Sequence, residues 1–505
     1  MKLPLLVNLL LSGTLIFPLS TTTIVSGSSI FDHTPNFDIN KVPSFKFPAL
    51  RGIQGTDDQT MSNYAQTLND NGVTLTERYQ RLDQDLQPSV RRYNFFWSGL
   101  EDGPAPSDTP FTCPSTHMLV PANETDRIKR KYLRYHCYNT GMIESFDDLM
   151  YRDAQIGSIN AFIMYGSPDY AMNPACTGFP WGPNMYRQGC LPWNNLEDWY
   201  DYVLFATERW SASYASGKAR LSGLVLWNEV QSQGWADPSP VLPNRYDPQN
   251  PWSEQDYDTY AGFLVNMTIV ANRAATINIP DITLWLSTDH FSLAPPLNKG
   301  DVYHIGLNDL LDRMWPQLGL DIPLSIAVHP YDAGDPRQNL TSQGIYTFGT
   351  LKESVYNYQC NQLVKYAGIL PEDCFNYPQV QMYASEQGWP YNNVTMNKTL
   401  QARNICYAHG LSLAQNVWAV THNFFQSPVP TSQGDAGDFS LIDEPPVCFT
   451  NLTTCAQYSE TYQAYMATAP GVYGVYSNHY CCTRWNWGCT NDHRTLEELM
   501  GTYTA

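Results

Sequence analysis

Eight short apolar segments recur along the chain, and most are separated by stretches with the spacing of amphipathic helices. This alternation predicts a parallel sheet covered by helices, and eight such units predict a (β/α)8 TIM barrel. The predicted strands span 49–54, 90–97, 159–165, 221–227, 282–287, 324–329, 380–385 and 416–421. The predicted helices span 76–87, 145–156, 196–216, 254–275, 302–314, 351–368, 400–415 and 459–467.

Three long connections depart from a minimal barrel, at 101–141, 167–195 and 427–458. Each follows a strand, and loops that follow strands lie on the functional face of such a barrel. We therefore expect disulfide-closed loops that build the walls of a cleft on that face. Local cysteine pairs are candidates for the disulfides, although sequence does not determine connectivity. They are Cys176 with Cys190, Cys360 with Cys374 and Cys448 with Cys455.

The N-terminus has the pattern of a secretory signal peptide, predicted over about residues 1–25 and cleaved from the mature chain. Lys2 supplies an early positive charge, residues 3–19 are mostly apolar, and small residues follow. The alternative, a membrane anchor, needs a longer uninterrupted apolar stretch. We expect residues 30–505 to form a single barrel domain with a Cys-rich C-terminal segment. Twelve cysteines in a secreted chain predict disulfides rather than metal ligands.

We expect an extracellular or cell-wall protein, and its net charge and glycosylation motifs limit which partners it can have. A net charge of −19 argues against nucleic acid and anionic membrane surfaces, because both recruit clustered Lys and Arg. Six Asn-x-Ser/Thr sequences predict N-linked glycans. The acceptors are Asn123, Asn266, Asn339, Asn393, Asn397 and Asn451.

Two glutamates stand at the ends of predicted strands. Glu229 ends the run Leu-Val-Leu-Trp-Asn-Glu, and Glu386 ends the run Val-Gln-Met-Tyr-Ala-Ser-Glu. Carboxylates from two such strand ends can face each other across the cleft, as glycosidic bond cleavage requires. A gap of about 5–5.5 Å gives retention of anomeric configuration and a wider gap gives inversion. We assign Glu229, on the fourth strand, as acid/base and Glu386, on the seventh, as nucleophile.

Further motifs resemble the clan A retaining glycoside hydrolases. The Trp-Asn-Glu sequence ending at Glu229 and the Ser-Glu-Gln-Gly-Trp-Pro sequence around Glu386 are similar to the ends of that clan's fourth and seventh strands. The strand-two segment 91–101 and the sequence Val-His-Pro-Tyr at 328–331 also match its pattern. The resemblance covers nearly the whole mature chain and implies the same two roles for the glutamates.

The resemblance also implies a set of supporting residues. Arg91 or Arg92 would keep the nucleophile ionised, and only one of them can point inward because side chains alternate along a strand. His329 and Tyr331 would line the site, and Tyr331 or Tyr383 would bond the nucleophile. Substrate contacts are also expected from other residues. These are Asn228, to the sugar 2-hydroxyl, His422 at the end of strand eight, and the candidate sugar platforms Trp97, Trp181, Trp235 and Trp389.

Together these features predict a secreted retaining β-glycoside hydrolase that acts on a β-linked oligo- or polysaccharide, with β-glucan favoured by the resemblance alone. A transglycosylase that uses the same two glutamates remains an alternative. So does a non-catalytic carbohydrate-binding wall glycoprotein. Neither a metal nor a cofactor is required for this reaction. The sequence lacks a His-Glu-x-x-His metal motif and a Gly-x-x-x-x-Gly-Lys phosphate loop.

Overall fold

The computed structural model describes most of the region between residues 50 and 422. The described residues are 50–54, 88–176, 189–213, 217, 219–231, 235–238, 241–242, 252–288, 305–319, 322, 325–329, 348–376, 381–388, 398–414 and 417–422. Several predictions lie outside this part of the chain. They are the signal peptide, helices 76–87 and 459–467, the connection 427–458, the Cys448–Cys455 pair and the Cys-rich C-terminal segment.

Eight parallel strands close into a barrel, so the predicted (β/α)8 fold is confirmed. The strands are β1 Leu50–Gln54, β2 Val90–Phe96, β3 Ile159–Tyr165, β4 Leu221–Leu226, β5 Thr283–Thr288, β6 Ser325–Val328, β7 Met382–Gln387 and β8 Ala419–His422. Each strand pairs with the next in chain order, and β8 pairs with β1 to close the ring. The strands match the predicted segments because a sheet covered on both faces requires continuous apolar runs.

Helices surround the barrel where they were predicted, with some changes at their ends. They are α1 Thr140–Ile156, α2 Leu196–Arg209, α3 Glu254–Asn278, α4 Leu307–Leu318, α5 Phe348–Ala367 and α6 Lys398–Ala414. Helix α3 begins with a capping box, in which Ser253 and Asp256 bind each other's backbone N–H groups. Helix α2 ends at Arg209, earlier than predicted, where a Ser-rich segment follows. None of the described helices has the length and apolarity needed to cross a membrane.

The connection from β2 to α1 contains a small folded segment, here called the β2–α1 insertion, that the sequence did not predict. Its antiparallel strands, His117–Val120 and His136–Asn139, flank a short helix, Glu124–Arg130. A disulfide between Cys113 and Cys137 closes it. The two strands have only four residues each and contain polar side chains, so they lack the apolar alternation of a core strand.

Two predicted disulfides are present, and they lie at opposite ends of the barrel. Cys176 and Cys190 are joined within the long connection after β3, on the face where the strands end. Cys360 and Cys374 join α5 to the segment that precedes β7, which places this disulfide at the other end of the strands. The expectation that the disulfides serve the loops of one face therefore needs correction for this pair.

Gly223 on β4 leaves room for a large side chain in the barrel interior. Trp285 on the neighbouring β5 is fully buried, and its ring occupies the space that a Cβ atom at position 223 would need. The same ring packs against Tyr383 on β7, with centroids 5.2 Å apart. The absence of a side chain at Gly223 therefore lets the Trp285 ring fill the barrel interior without a void, as close packing requires.

We predict that Gly223→Ala destabilises the protein by about 1–3 kcal/mol, because the added methyl group displaces the Trp285 ring in a filled interior. Gly262→Ala on α3 is the matched control, since outside the adjacent residues and the backbone of its own helix no atom lies within 4 Å of the methyl group it would add. Alanine there should be neutral or stabilise by up to about 1 kcal/mol through helix propensity. Urea unfolding measures both, and an unchanged stability for Gly223→Ala would contradict this packing.

An ionic cluster whose His136, Glu101 and Asp201 side chains are fully buried joins the β2–α1 insertion to helix α2. His136 lies between Glu101, at 2.8 Å from Nδ1 to Oε1, and Asp201, at 3.0 Å from Nε2 to Oδ2. The Arg134 guanidinium donates to Asp198 at 2.9 Å. Burial alone would lower the pKa of His136, but the Glu101 and Asp201 carboxylates outweigh it and raise this pKa to about 10. The cluster thus holds a charged imidazole in the protein interior.

The stability of the fold should therefore fall as the pH rises across the alkaline range. His136 has a higher pKa folded than unfolded, where about 6.5 applies. Its contribution is complete below about pH 6.5 and is lost as the pH rises towards about 10, with a slope approaching about 1.4 kcal/mol per pH unit. Unfolding free energies of wild type and His136→Asn between pH 7 and 10 should show a flatter dependence for the variant.

If that variant does not fold, the ring carbon shifts of labelled histidine in the wild type provide the measurement. One histidine should keep its imidazolium shift at pH 8. Titration of every histidine below pH 7.5 would contradict the assigned charge state.

Candidate active site

A β-bulge turns Glu386 into the barrel. On β7, Tyr383 and Glu386 both face the interior although three positions separate them, which a regular strand with its period of two does not allow. The pairing with β8 explains this, because Val420 lies opposite Ala384 while His422 lies opposite Gln387. One extra residue on β7 is therefore accommodated between these pairs. Such a bulge re-aims the side chain that carries it.

Glu229 lies in a strained turn immediately after β4. Its φ is 43°, and that of Trp227 is 62°, so two residues with side chains adopt the left-handed region. Hydrogen bonds hold both. The Trp227 N–H donates to the Met164 carbonyl at 2.9 Å, and its indole N–H donates to the Trp235 carbonyl at 2.6 Å. The Glu229 N–H donates to Ser287 Oγ at 3.0 Å. Strain of this kind persists where the surroundings over-determine it.

The two glutamates meet at His329, which directly follows β6. Its Nδ1 lies 2.7 Å from Glu229 Oε1 and 3.6 Å from Glu386 Oε2. One oxygen of each carboxylate and one ring nitrogen all lie within 4.8 Å of one another. The Arg92 guanidinium on β2 completes the group at 2.5 Å from Glu386 Oε1. Four strands thus bring two carboxylates, a guanidinium and an imidazole to one point.

The nitrogen groups of this cluster are buried, and its two carboxylates are partly exposed. Arg92 and His329 have no exposed side-chain surface, whereas Glu229 and Glu386 expose 12% and 14% of theirs. Solvent and a substrate can therefore reach the carboxylates while the two nitrogen groups support them from the protein side. A carboxylate paired with a buried guanidinium is suited to nucleophilic attack, and its neighbour is suited to proton transfer.

The two adjacent arginines have opposite roles. Arg92 points inward to Glu386, but Arg91 points outward to helix α1, where its Nε lies 3.1 Å from Asp153 Oδ1. The Tyr93 hydroxyl donates to the same carboxylate at 2.9 Å. Arg91 is therefore a structural residue of the barrel wall, and its place among the site candidates is corrected.

Two aromatic candidates are also displaced from the site. The Tyr383 hydroxyl pairs with Thr421 Oγ1 at 2.6 Å rather than with Glu386, and burial raises the pKa of Tyr383 to about 12. Trp97 is fully buried, so it cannot serve as a sugar platform. Its indole N–H donates to Glu101 Oε2 at 3.0 Å, and its ring stacks on Tyr202 with centroids 5.3 Å apart. Trp97 is therefore wrong as a platform. Of the two tyrosines predicted as alternatives for the nucleophile, Tyr383 bonds Thr421 instead, and Tyr331 lies outside the described residues.

The remaining candidates divide into those that the structure describes and those that it does not. Asn228 is 5% exposed beside Glu229, and its Oδ1 has no hydrogen-bond partner among the described residues. Trp235 is half-buried near the same turn. The side chains of four candidates lie outside the described part of the chain. They are Tyr331, Trp389, Trp181 and His422.

Sequence reasoning missed an aromatic row at the carboxyl ends of β2 and β3. Phe96 and Tyr165 lie opposite each other in the sheet, with ring centroids 4.6 Å apart. Tyr165 in turn meets the Trp235 ring edge-on at 6.2 Å. Alternation along β2 places Phe96 on the same face as Arg92, so it could have been found once the inward arginine was known.

Two groups of described residues are close enough to bind a metal ion. Cys176, Cys190 and Asp237 form one, but the two cysteines are joined in a disulfide and offer no thiolate. Glu229, His329 and Glu386 form the other. There the Arg92 guanidinium already places a positive charge against Glu386, which opposes a second cation at the same oxygens.

Comparisons with known proteins return structural resemblance alone. No family model matches the chain, and no curated protein matches it. Solved structures similar to it include the β-glucosidase of Pyrococcus furiosus, with 10% identity over 83% of this chain and 98% of that chain and a TM-score of 0.42. The β-glycosidase of Thermosphaera aggregans shows 10% identity over 85% and 98%, with a TM-score of 0.43.

A further similar structure is Thermotoga maritima Cel5A in complex with cellobiose. It shows 10% identity over 83% of this chain and 96% of that chain, with a TM-score of 0.41. At these identities, what the site does has to be argued from this chain's own residues.

Because Arg91 and Arg92 point in opposite directions, replacing them should lower the free energy of unfolding by different amounts. Arg91→Met removes this guanidinium from the Asp153 carboxylate, which is 1% exposed, and should destabilise the protein by about 3–5 kcal/mol. Arg92→Met should cost less, because Glu386 can recruit water through the open side of the site. Urea unfolding of both variants measures the difference. A loss for Arg92→Met equal to that for Arg91→Met would contradict this division.

Proposed function

We propose that this chain is a retaining β-glycoside hydrolase that acts outside the cell on β-linked oligo- or polysaccharides. The observation that carries the proposal is the pair of carboxylates at the ends of β4 and β7, with oxygens within 4.8 Å of each other. Retaining enzymes hold their two carboxyl groups about 5–5.5 Å apart, whereas inverting enzymes leave space for a water between them. The gap here fits direct attack by one carboxylate on the sugar.

In the first step, Glu386 attacks the anomeric carbon and forms a glycosyl ester, while the bond from that carbon to the leaving oxygen breaks. Arg92, 2.5 Å from Glu386, keeps this carboxylate ionised before the attack. Glu229 donates its proton to the leaving oxygen as the bond breaks. We assign the two acids different tasks because Arg92 lies against Glu386 while Glu229 pairs with His329.

In the second step, Glu229 accepts a proton from a water molecule that attacks the same carbon from the face just vacated. The ester bond to Glu386 breaks, and the sugar leaves with its original configuration after two inversions. His329 contacts both acids, so a proton on its Nδ1 allows it to donate to Glu229 and to stabilise charge near Glu386. Its position therefore links the two halves of the cycle.

Asn228 is placed to bind the sugar next to the acid. A buried amide oxygen without a partner is costly, and such groups are retained where a ligand satisfies them. We assign Asn228 Oδ1 to a sugar hydroxyl beside the reacting carbon, a contact that tightens as charge develops there. The half-buried Trp235 offers a flat apolar surface nearby.

Action outside the cell is supported by the covalent chemistry of the chain. Three disulfides between described cysteines suit an oxidising compartment. Asn123 is an exposed glycan acceptor whose Oδ1 caps the helix Glu124–Arg130, which leaves its amide nitrogen for the sugar. Asn266 is half-buried on α3, so of these two acceptors we expect the glycan at Asn123.

The experiment is hydrolysis of a panel of aryl β-glycosides and of β-glucan, mannan and xylan, with the released anomer followed by proton NMR. Wild type should release the β-anomer first, and Glu386→Ala should lose this activity. Azide should restore the variant and give a glycosyl azide of inverted configuration. Glu229→Ala should instead lose about 10²–10⁴-fold on substrates that need a proton, and azide should give a product of retained configuration.

The exposed Glu372 provides the matched control. It lies in the short helix Pro371–Asn376 that precedes β7, at the opposite end of that strand from Glu386, so Glu372→Ala should leave activity unchanged. Release of the α-anomer, or full activity in Glu386→Ala, would refute the mechanism. Products longer than the starting oligosaccharide would identify a transglycosylase that uses the same two acids.

A further inference from the structure

The backbone that carries Glu229 adopts a conformation that needs external support. Its φ of 43° lies in a region that residues with side chains rarely adopt, and Trp227 two positions earlier shares that conformation. The turn therefore cannot be maintained by its own local preference. The position of the Glu229 carboxylate depends on whatever holds the peptide groups on either side of it.

One residue on the next strand holds two of these peptide groups. Ser287, fully buried on β5, accepts the Glu229 N–H with its Oγ at 3.0 Å and the Val230 N–H with its carbonyl at 3.1 Å. The carbonyl contact survives any substitution at this position, but the Oγ contact depends on the side chain. The adjacent Thr288 donates its hydroxyl to the Ala327 carbonyl instead.

We propose that Ser287 is a positioning residue for the acid Glu229, an inference that rests on the proposed glycosidase function. Its Oγ binds the Glu229 N–H and so fixes the left-handed turn that aims the carboxyl group at the leaving oxygen. Proton transfer requires heavy atoms within about 2.6–3.2 Å of each other. A displacement of about 1 Å can reduce the rate of such a step about 10²-fold.

The role has a kinetic signature that a general loss of structure does not share. A leaving group that is already a stable anion, such as 2,4-dinitrophenolate, departs without a proton, whereas a weakly acidic phenol requires one. A misplaced acid therefore slows only the second kind of substrate. Attack by Glu386 is common to both kinds and is unaffected by the position of Glu229.

The experiment measures kcat/KM for Ser287→Ala on aryl β-glycosides of one sugar, with leaving groups from 2,4-dinitrophenol to unsubstituted phenol. We expect the dinitrophenyl substrate to stay within about twofold of wild type and the phenyl substrate to fall about 10–100-fold. Ser287→Thr keeps the Oγ and should return the wild-type dependence on the leaving group. Thr288→Val, which removes a hydroxyl from the same strand, should not change that dependence.

Glu229→Ala in the same series separates failure of this inference from failure of the proposed function. If Glu229→Ala steepens the dependence on the leaving group and Ser287→Ala does not, Ser287 has no positioning role. An equal fall of Ser287→Ala on every substrate overturns it as well. If wild type is inactive on the whole series, or Glu229→Ala leaves the dependence unchanged, the proposed role of Glu229 fails first.

Discussion

Two carboxylates held within 4.8 Å of each other are the constraint on which the rest of the site depends. At an effective dielectric constant of about 20, two full negative charges at that distance repel by about 3 kcal/mol. The barrel interior meets this cost with Arg92 on one carboxylate and His329 between the two. Arg92 lies against Glu386, and His329 lies closer to Glu229 than to Glu386, and the proposed roles of nucleophile and acid follow this arrangement.

A second cluster of buried charged residues stabilises the fold and is not open to solvent. Around His136, the carboxylates of Glu101 and Asp201 are fully buried, so the cluster anchors the β2–α1 insertion to helix α2. In the catalytic cluster, Glu229 and Glu386 keep a side open to solvent. The strand-two motif that resembles a glycosidase spans both, because its Arg92 supports the site while its Glu101 belongs to the anchor.

Much of the fold could be predicted from the sequence because barrel strands buried on both faces are apolar throughout, and amphipathic helical stretches separate them along the chain. The two glutamates could be located for a related reason, since strand ends are where a barrel presents its chemistry. The alternation of side chains along a strand predicted that either Arg91 or Arg92 would face inward, but it did not predict which one. That choice depends on Asp153, sixty-odd positions away on helix α1, as the partner of Arg91.

The sequence could not show where the backbone leaves regular geometry. A regular β7 could not place both Tyr383 and Glu386 inside the barrel, and the bulge that does so has no sequence signal of its own. The turn at Glu229 similarly combines two left-handed residues that no propensity favours. Both acids therefore reach the cleft through local departures from the ideal strand, and each departure is maintained by contacts with a neighbouring strand. The precision of the site is thus a property of the closed barrel, because a strand removed from its neighbours would keep the motif and lose the geometry.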